Sequence, residues 1–272
     1  MDSQELKQRV QQQFGDKAEA YANSRVHAHG PSLARLVDVV QPQADWIALD
    51  VATAAGHTAH AFAPHVRRIV ASDLTSQMLP KARELAAQRG LGNLDFVAAD
   101  AEQLPFPGAT FNLITCRIAP HHFPSVEQFL SQAARVLRAG GLLIVVDNVA
   151  PGSRLRGKKG RLQREAGRYV NAFEKLRDPS HHRCLSVQEW RTAFYQAGFA
   201  LQHEEIRRKE MDFAAYVARM NVPPADVLRL EAMLRQAPAE VLEFLTPVFG
   251  DATIKFHLSE ALFVGRLHSE DR

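Results

Sequence analysis

At 272 residues the chain is long enough for one elaborated domain or a domain with a cap. Its 46% hydrophobic and 23% charged content is that of an ordinary globular protein, which excludes a disordered or fibrous chain. A net charge of only +3 (33 basic against 30 acidic residues) gives no global field for nucleic acid, and two cysteines, Cys116 and Cys184, exclude a disulfide scaffold and suit a reducing compartment.

In chain order, residues 3–22 read as an amphipathic helix with Val10, Phe14 and Ala18 near one face, interrupted at Gly15. The polar start carries no secretory signal and no apolar run reaches the length of a membrane span, so a soluble, cytoplasmic protein is expected. A second helix, 31–40, opens on Pro31 and places Leu33, Leu36, Val37 and Val40 at helical spacing. From Trp46 onward strands and helices alternate. Strand 47–51 leads to a helix from His57, strand 68–72 to a helix over 76–89, then strands 94–98 and 111–116. Helix 126–137 is expected to stop at Ala139-Gly140-Gly141, with strand 142–147 following at once. Strands separated by helices of this length imply right-handed crossovers and a parallel sheet covered on both faces. Beyond Pro151 the residues 154–168 hold seven basic residues and one acid. Helices are expected at 186–197, 212–220 and 224–245. The apolar segments 199–206 and 254–267 read as antiparallel strands closing the sheet, with the intervening helices capping its carboxyl edge.

The densest signal lies at 46–56, where a buried strand ends in Asp50 and runs into a turn of tiny residues before His57. Such a turn lets backbone N–H groups approach a ligand at the carboxyl end of a parallel strand. A second acid, Asp73, ends the next apolar run about 20 residues on, where nucleotide-binding folds place a carboxylate for ribose hydroxyls. Together they point to a cofactor containing a nucleoside.

Leu49-Asp50-Val51-Ala52-Thr53-Ala54-Ala55-Gly56-His57-Thr58, then Ser72-Asp73-Leu74, Ala99-Asp100-Ala101-Glu102-Gln103-Leu104-Pro105-Phe106, Phe111–Arg117, His121-His122-Phe123 and Arg135–Gly141 occur in a telling order and spacing. Over about residues 45–150 this resembles a class I S-adenosylmethionine-dependent methyltransferase, of the small-molecule group that includes the quinone-biosynthesis C-methyltransferases. Tyr21–His27 and Leu176–His181 also resemble a bacterial subgroup of that family. The resemblance implies an α/β fold, a Rossmann-like doubly wound, mostly parallel sheet with an antiparallel closing strand and a helical cap. It divides the chain into an N-terminal helical lid (1–45), a cofactor-binding core (46–150), and a cap insertion plus closing strands (151–272). It further implies S-adenosylmethionine as cofactor, S-adenosylhomocysteine as product, and a small-molecule methyl acceptor as partner; a homodimer is compatible with it.

For the site, the resemblance sets the turn 52–56, with Ala52, Ala54 and Gly56, against the methionine part of the cofactor. Asp73 would take the ribose hydroxyls and Asp100 the adenine amino group, with Leu74, Met78 and Ala101 lining the adenine slot. The family usually has glycine where Ala52 and Ala54 stand; each methyl narrows the approach to a ligand and disfavours positive φ. Asp50 is expected to bond either backbone or the cofactor amine, Arg117 an acidic group of cofactor or substrate or else a surface partner, and Tyr21 to cover the cofactor or pack on the core. Glu102 reads as a surface or loop-capping residue and Cys116 as core.

Twelve histidines without a third ligand set or cysteine pair argue against a metal site. His121 or His122, beyond the fourth strand, is the candidate general base; His27 and His181 are weaker. Phe173, His181, Phe194 and Tyr216 are candidates for the acceptor wall. Two other functions fit the same turn: an NAD-dependent oxidoreductase, which leaves the run from Asp100 to Phe106 without a purpose, and a non-catalytic cofactor-binding protein, supported only by Ala54. The basic run 154–168 reads as a solvated helix face without the interleaved aromatics of a single-strand binder; attraction to an anionic substrate or membrane surface stays open.

Overall fold

The computed structural model describes residues 2–15, 31–251 and 253–268. Strands β1 (Ile47–Val51), β2 (Arg68–Asp73), β3 (Leu94–Ala98), β4 (Phe111–Arg117) and β5 (Leu137–Val149) run parallel. They are joined by β6 (Phe199–Asp212), the two-residue β7 (Val248–Phe249) and β8 (Ile254–Leu267). The sheet order is β3-β2-β1-β4-β5-β8-β6, with β8 antiparallel to both neighbours and β7 paired to its start. The expected doubly wound sheet with an antiparallel closing strand is therefore present. The chain reverses its direction of travel across the sheet between β1 and β4, and the crevice at their carboxyl ends is where such folds bind ligands.

The strands read as continuous apolar runs because both faces are covered, and the pleat sorts their residues two by two. Ala48, Leu113, Ile144, Val146 and Val264 face one cluster, together with Leu36 and Val40 of α2 (Pro31–Val40) and Ala59 and Phe62 of α3 (His57–Phe62). Their neighbours Leu49, Ile114, Leu143, Val145 and Phe263 face the other. That second cluster is completed by Phe129, Leu130 and Ala133 of α5 (Val126–Val136) and by Trp190 and Phe194 of α7 (Val187–Gln196). Ser125 caps α5 by accepting from the Gln128 N–H, and Ser186 with Glu189 forms a full capping box on α7. Helix α4 (Leu79–Gln88) flanks β3.

A third cluster forms the cap, from α6 (Gly157–Arg177), α8 (Phe213–Ala218), α9 (Pro224–Arg235) and α10 (Ala239–Leu245). Strands β6 and β8 overrun the end of β5 at Val149, and in that extension Phe256 and Leu258 of β8 belong to the cap core. Helix α1 (Ser3–Gly15) lies near the turn 76–78 at the carboxyl edge.

Several boundaries differ from expectation for local reasons. Residues 137–141 belong to β5 rather than ending α5: the register jumps from Phe111↔Leu137 to Leu113↔Leu142, so Gly140 (φ 72) and Gly141 make a bulge within a strand. Strand 199–206 continues to Asp212 because β8 supplies a partner along its whole length. The segment 224–245 is two helices, broken at Pro238, which precedes α10. Helix α2 covers a sheet face and is not part of a lid, and α7 lies on the sheet although it falls between segments of the cap.

Candidate active site

The turn after β1 alternates in hand. Ala52 (φ 55), Ala54 (φ 48) and Gly56 (φ 83) all lie in the left-handed region, every second residue. Alanine takes that conformation at about 1–2 kcal/mol per residue, so the two methyls do not prevent the loop from forming; hydrogen bonds hold it. The Asp50 carboxylate accepts from Thr53 Oγ1 at 2.6 Å, Thr115 Oγ1 at 2.6 Å and the Ala59 N–H at 3.2 Å. Asp73 accepts from the Ala54 N–H and the Thr75 N–H, both at 2.8 Å. Asp50 is almost completely buried and does not line the cavity, and its carboxylate ties the turn, the start of α3 and β4 together. Burial pushes its carboxyl up to about 6 against the lowering effect of Thr115 and Thr53.

Gly56 also stands off the cavity. A Cβ there would lie 2.7 Å from the His60 imidazole, so the packing of that ring and the φ of 83 both call for glycine. His60 in turn contacts the Ala82 carbonyl at 3.1 Å and Arg89 at 3.2 Å, and burial holds its pKa down to about 4.

One cavity of about 920 Å³ opens over the carboxyl edge. Ala52, Ala54, Asp73, Leu74, Met78, Asp100, Ala101, Arg117, His121 and His122 all border it. Burial raises the Asp73 carboxyl above its usual range, opposed by its two backbone donors. Arg117 reaches inward to Thr58 Oγ1 at 3.0 Å; burial lowers its pKa, while Glu260 and Asp50 oppose that shift. The next residue, Ile118, sits at φ 54 with its N–H on the Val146 carbonyl at 2.7 Å, a β-branched residue in a strained conformation at the cavity wall.

Two supports of this wall were not anticipated from sequence. Lys7 of α1 bonds Asp100 Oδ2 at 2.7 Å and Glu102 Oε2 at 2.6 Å. Although burial opposes its charge, the two carboxylates hold its ammonium above the usual pKa. Gln11 of the same helix donates to the Leu74 carbonyl at 3.1 Å, and Phe14 meets the His122 ring edge-on at 5.2 Å. Helix α1 therefore crosses from Asp100 to His122. Tyr21 and His27 lie outside the described residues.

The second is Asp147, at the end of the apolar run of β5. His121 Nδ1 lies 2.5 Å from Asp147 Oδ1, which also accepts the Asn148 N–H at 2.9 Å; Oδ2 is buried and has no hydrogen-bond partner among the described residues. Burial works against protonation of His121, but Asp147 outweighs it and raises the pKa above the ordinary value. His122 differs. Its Nδ1 meets the Ser180 carbonyl at 3.1 Å, and burial, aided by the neighbouring His121, lowers its pKa to about 3. The two rings are 4.2 Å apart, and His181 lies 5.5 Å from His121 with Nε2 on Asn171 Oδ1. His121 and His122, taken as equivalent candidates from sequence, thus have separate states, one favouring a proton and one neutral.

The cap wall carries Tyr216, whose hydroxyl donates to Glu174 and whose ring lies under the Arg177 guanidinium at 3.8 Å. Tyr216 and His181 border the cavity as expected. Phe173 and Phe194 do not: Phe173 packs in the cap core, and Phe194 stacks beneath the sheet on Trp190 and Phe263. Glu102 caps the loop, accepting the Ser125 N–H, and Cys116 is core. Among the described residues no cluster of three or more metal-ligating side chains occurs, and no helix is long and apolar enough to cross a membrane.

Residues 49–145 match the family of methyltransferase domains. An uncharacterised methyltransferase of Bacillus subtilis, YcgJ, is 33% identical over 210 residues, covering 77% of this chain and 79% of its own. Its crystal structure superposes with a TM-score of 0.81 at 30% identity, over 89% of this chain and all of that one. YafE of Escherichia coli, an uncharacterised protein, is 31% identical over 179 residues, 66% of this chain and 82% of its own. The demethylmenaquinone methyltransferase of Deinococcus radiodurans is 39% identical over 117 residues, but this spans only 42% of this chain and 48% of its own.

Proposed function

The chain belongs to the class I S-adenosylmethionine-dependent methyltransferases, and from that premise we propose that it methylates a small molecule held between the turn 52–56 and the cap, with His121 taking the acceptor's proton. The family membership removes the oxidoreductase alternative. The observation that carries the proposal is a single cavity bordered on one side by Asp73 and Asp100 and on the other by His121, whose Nδ1 is held from behind by the buried Asp147.

The donor set fits the cofactor. Each oxygen of Asp73 already accepts one backbone N–H and keeps lone pairs for ribose hydroxyls, while Asp100 has acceptor capacity beyond Lys7 and the Glu102 N–H. Leu74, Met78 and Ala101 give the flat apolar walls an adenine ring needs. When bound, S-adenosylmethionine supplies an electrophilic methyl group and departs as a neutral thioether. The protein's share is then alignment, exclusion of water and custody of one proton. Asp147 holds Nδ1–H of His121, which leaves Nε2 as the basic nitrogen. The acceptor forms its bond to methyl with the electron pair released as its proton passes to Nε2. His122, kept neutral and bonded to Ser180, shapes the wall beside it.

A base of this kind is needed for hydroxyl and carbon acids and is dispensable for thiols, which ionise readily. Calorimetric titration with S-adenosylhomocysteine should show binding by the wild type that is lost in Asp73→Ala. Radiolabelled methyl transfer to a panel of phenols, enolisable ketones, amines and thiols should then find turnover on the first two classes that collapses in His121→Ala. Failure of the wild type to bind the product would remove the site assignment. Full turnover by His121→Ala would remove the base.

A further inference from the structure

The basic segment 154–168 has no part in methyl transfer, yet it decides the sign of the whole molecule. Arg154, Arg156, Lys158, Lys159, Arg161, Arg164 and Arg168 against Glu165 give +6 (seven minus one), so the remainder of the chain, whose total is +3, carries −3. A solvated helix face ordinarily mixes signs. Here Glu165 alone serves Arg161 and Arg168, each at 3.8 Å. Exposed Lys158, Arg161, Glu165 and Arg168 recur at helical spacing on α6, while Gly160, Ala166 and Gly167 are turned inward.

This segment is not the anion pocket of the active site. From Lys158 to Glu174, which borders the cavity, α6 rises by ~24 Å at 1.5 Å per residue. What it has instead is a built apolar tip. Leu155, 62% exposed, stands between Arg154 and Arg156. Its carbonyl accepts from Arg164 Nη1 at 2.9 Å, as does the Ser153 carbonyl. The chain 151–155 is folded flat against the helix: a Cβ on Gly160 would lie 1.9 Å from the Leu155 carbonyl oxygen, and one on Gly167 2.1 Å from that of Pro151. Two helical glycines and Arg164 thus fix the backbone of an exposed leucine that Arg154 and Arg156 flank.

We propose that this end of α6, with Leu155 at its tip and Lys158, Lys159 and Arg161 around the first turn behind it, docks the protein on an anionic lipid surface. Cations near such a surface are attracted by its negative potential, and a leucine that enters the acyl boundary adds an apolar contribution that salt does not screen. Nucleic acid would use the cations but not the leucine, and the face offers no exposed aromatic ring for a base to stack on.

The test is co-sedimentation of the full-length protein with phosphatidylcholine vesicles, with and without phosphatidylglycerol, at low and at high salt. Binding to the anionic vesicles at low salt, with a residue persisting at high salt, is the expected result. Lys158→Gln with Lys159→Gln should weaken it about 30-fold, and Leu155→Ser should remove the salt-resistant part. Arg229→Gln, on an exposed cation of α9, should change nothing. S-adenosylhomocysteine binding by each variant in the same preparation verifies the fold. Equal binding to neutral vesicles, no binding to either kind, or indifference to both sets of substitutions overturns the proposal. So does retention of a generic single-stranded RNA that matches or exceeds that of anionic vesicles.

Discussion

Lys7 and Asp100, 93 residues apart in sequence, meet at 2.7 Å, so the N-terminal helix closes directly on the carboxylate two residues past β3. The ammonium also neutralises Glu102, and without it two carboxylates would share one half-buried corner. Lys7→Met should weaken S-adenosylhomocysteine binding about tenfold, in line with the loss of one charge-assisted hydrogen bond. Most of the effect should fall on dissociation, read by stopped-flow displacement. An unchanged dissociation rate would mean that α1 does not retain the ligand.

The His121–Asp147 pair makes a prediction about pH. Because Asp147 raises the pKa of His121, methyl transfer should rise with pH on a limb placed above the ordinary imidazole value. Asp147→Asn removes that support, so the limb should move to lower pH while kcat falls and KM changes little. A profile that stays in place would assign the limb to the acceptor itself.

Stability should fall on the acid side, and the sign can be followed group by group. His60 and His122, with folded pKa values near 4 and 3, stay neutral in the fold while the unfolded chain takes up protons below pH 6.5. Each therefore removes about 1.4 kcal/mol per pH unit between 6.5 and its folded value. Asp50 acts in the other direction: raised to about 6, it binds a proton in the fold first, which adds stability as pH falls from about 6 toward 3.8. Urea titrations from pH 7 to 4.5 should show a net decrease that His60→Gln reduces.

Glycine and alanine in the turn after β1 should respond unequally. Gly56→Ala combines left-handed strain with a clash on the His60 ring and should cost about 2–4 kcal/mol. Ala54→Gly relieves strain at φ 48 while freeing the unfolded chain, so its net effect should lie within about 1 kcal/mol, on the stabilising side. Thermal unfolding of the two variants measures both.

The sheet was legible because each parallel strand is a short apolar run bounded by a helix, and Asp73 and Asp100 were legible because they end such runs. Asp147 ends one too, but its partnership with His121 depends on β5 lying next to β4, which is long-range information. Lys7 on Asp100 is less visible still: one lysine in a polar helix has no local mark that separates it from its solvated neighbours. The Gly140-Gly141 pair misled because a helix stop and a strand bulge both call for φ above zero, and only the register against Phe111 and Leu113 tells them apart. Gly56 takes the positive φ that the turn calls for, and the His60 ring behind it adds a second demand for glycine that no local pattern shows.

Strands β6 and β8 remain paired from Phe199↔Leu267 beside the core to Asp212↔Lys255 beneath the cap. One ribbon therefore ends in both hydrophobic clusters, with Phe263 in the first and Phe256 in the second. A door hinged there would have to tear its own frame. The opposite rim is built otherwise: among the described residues α1 meets it through single side chains, Lys7 on Asp100, Gln11 on the Leu74 carbonyl and the edge of Phe14 on His122, with no backbone ladder between them.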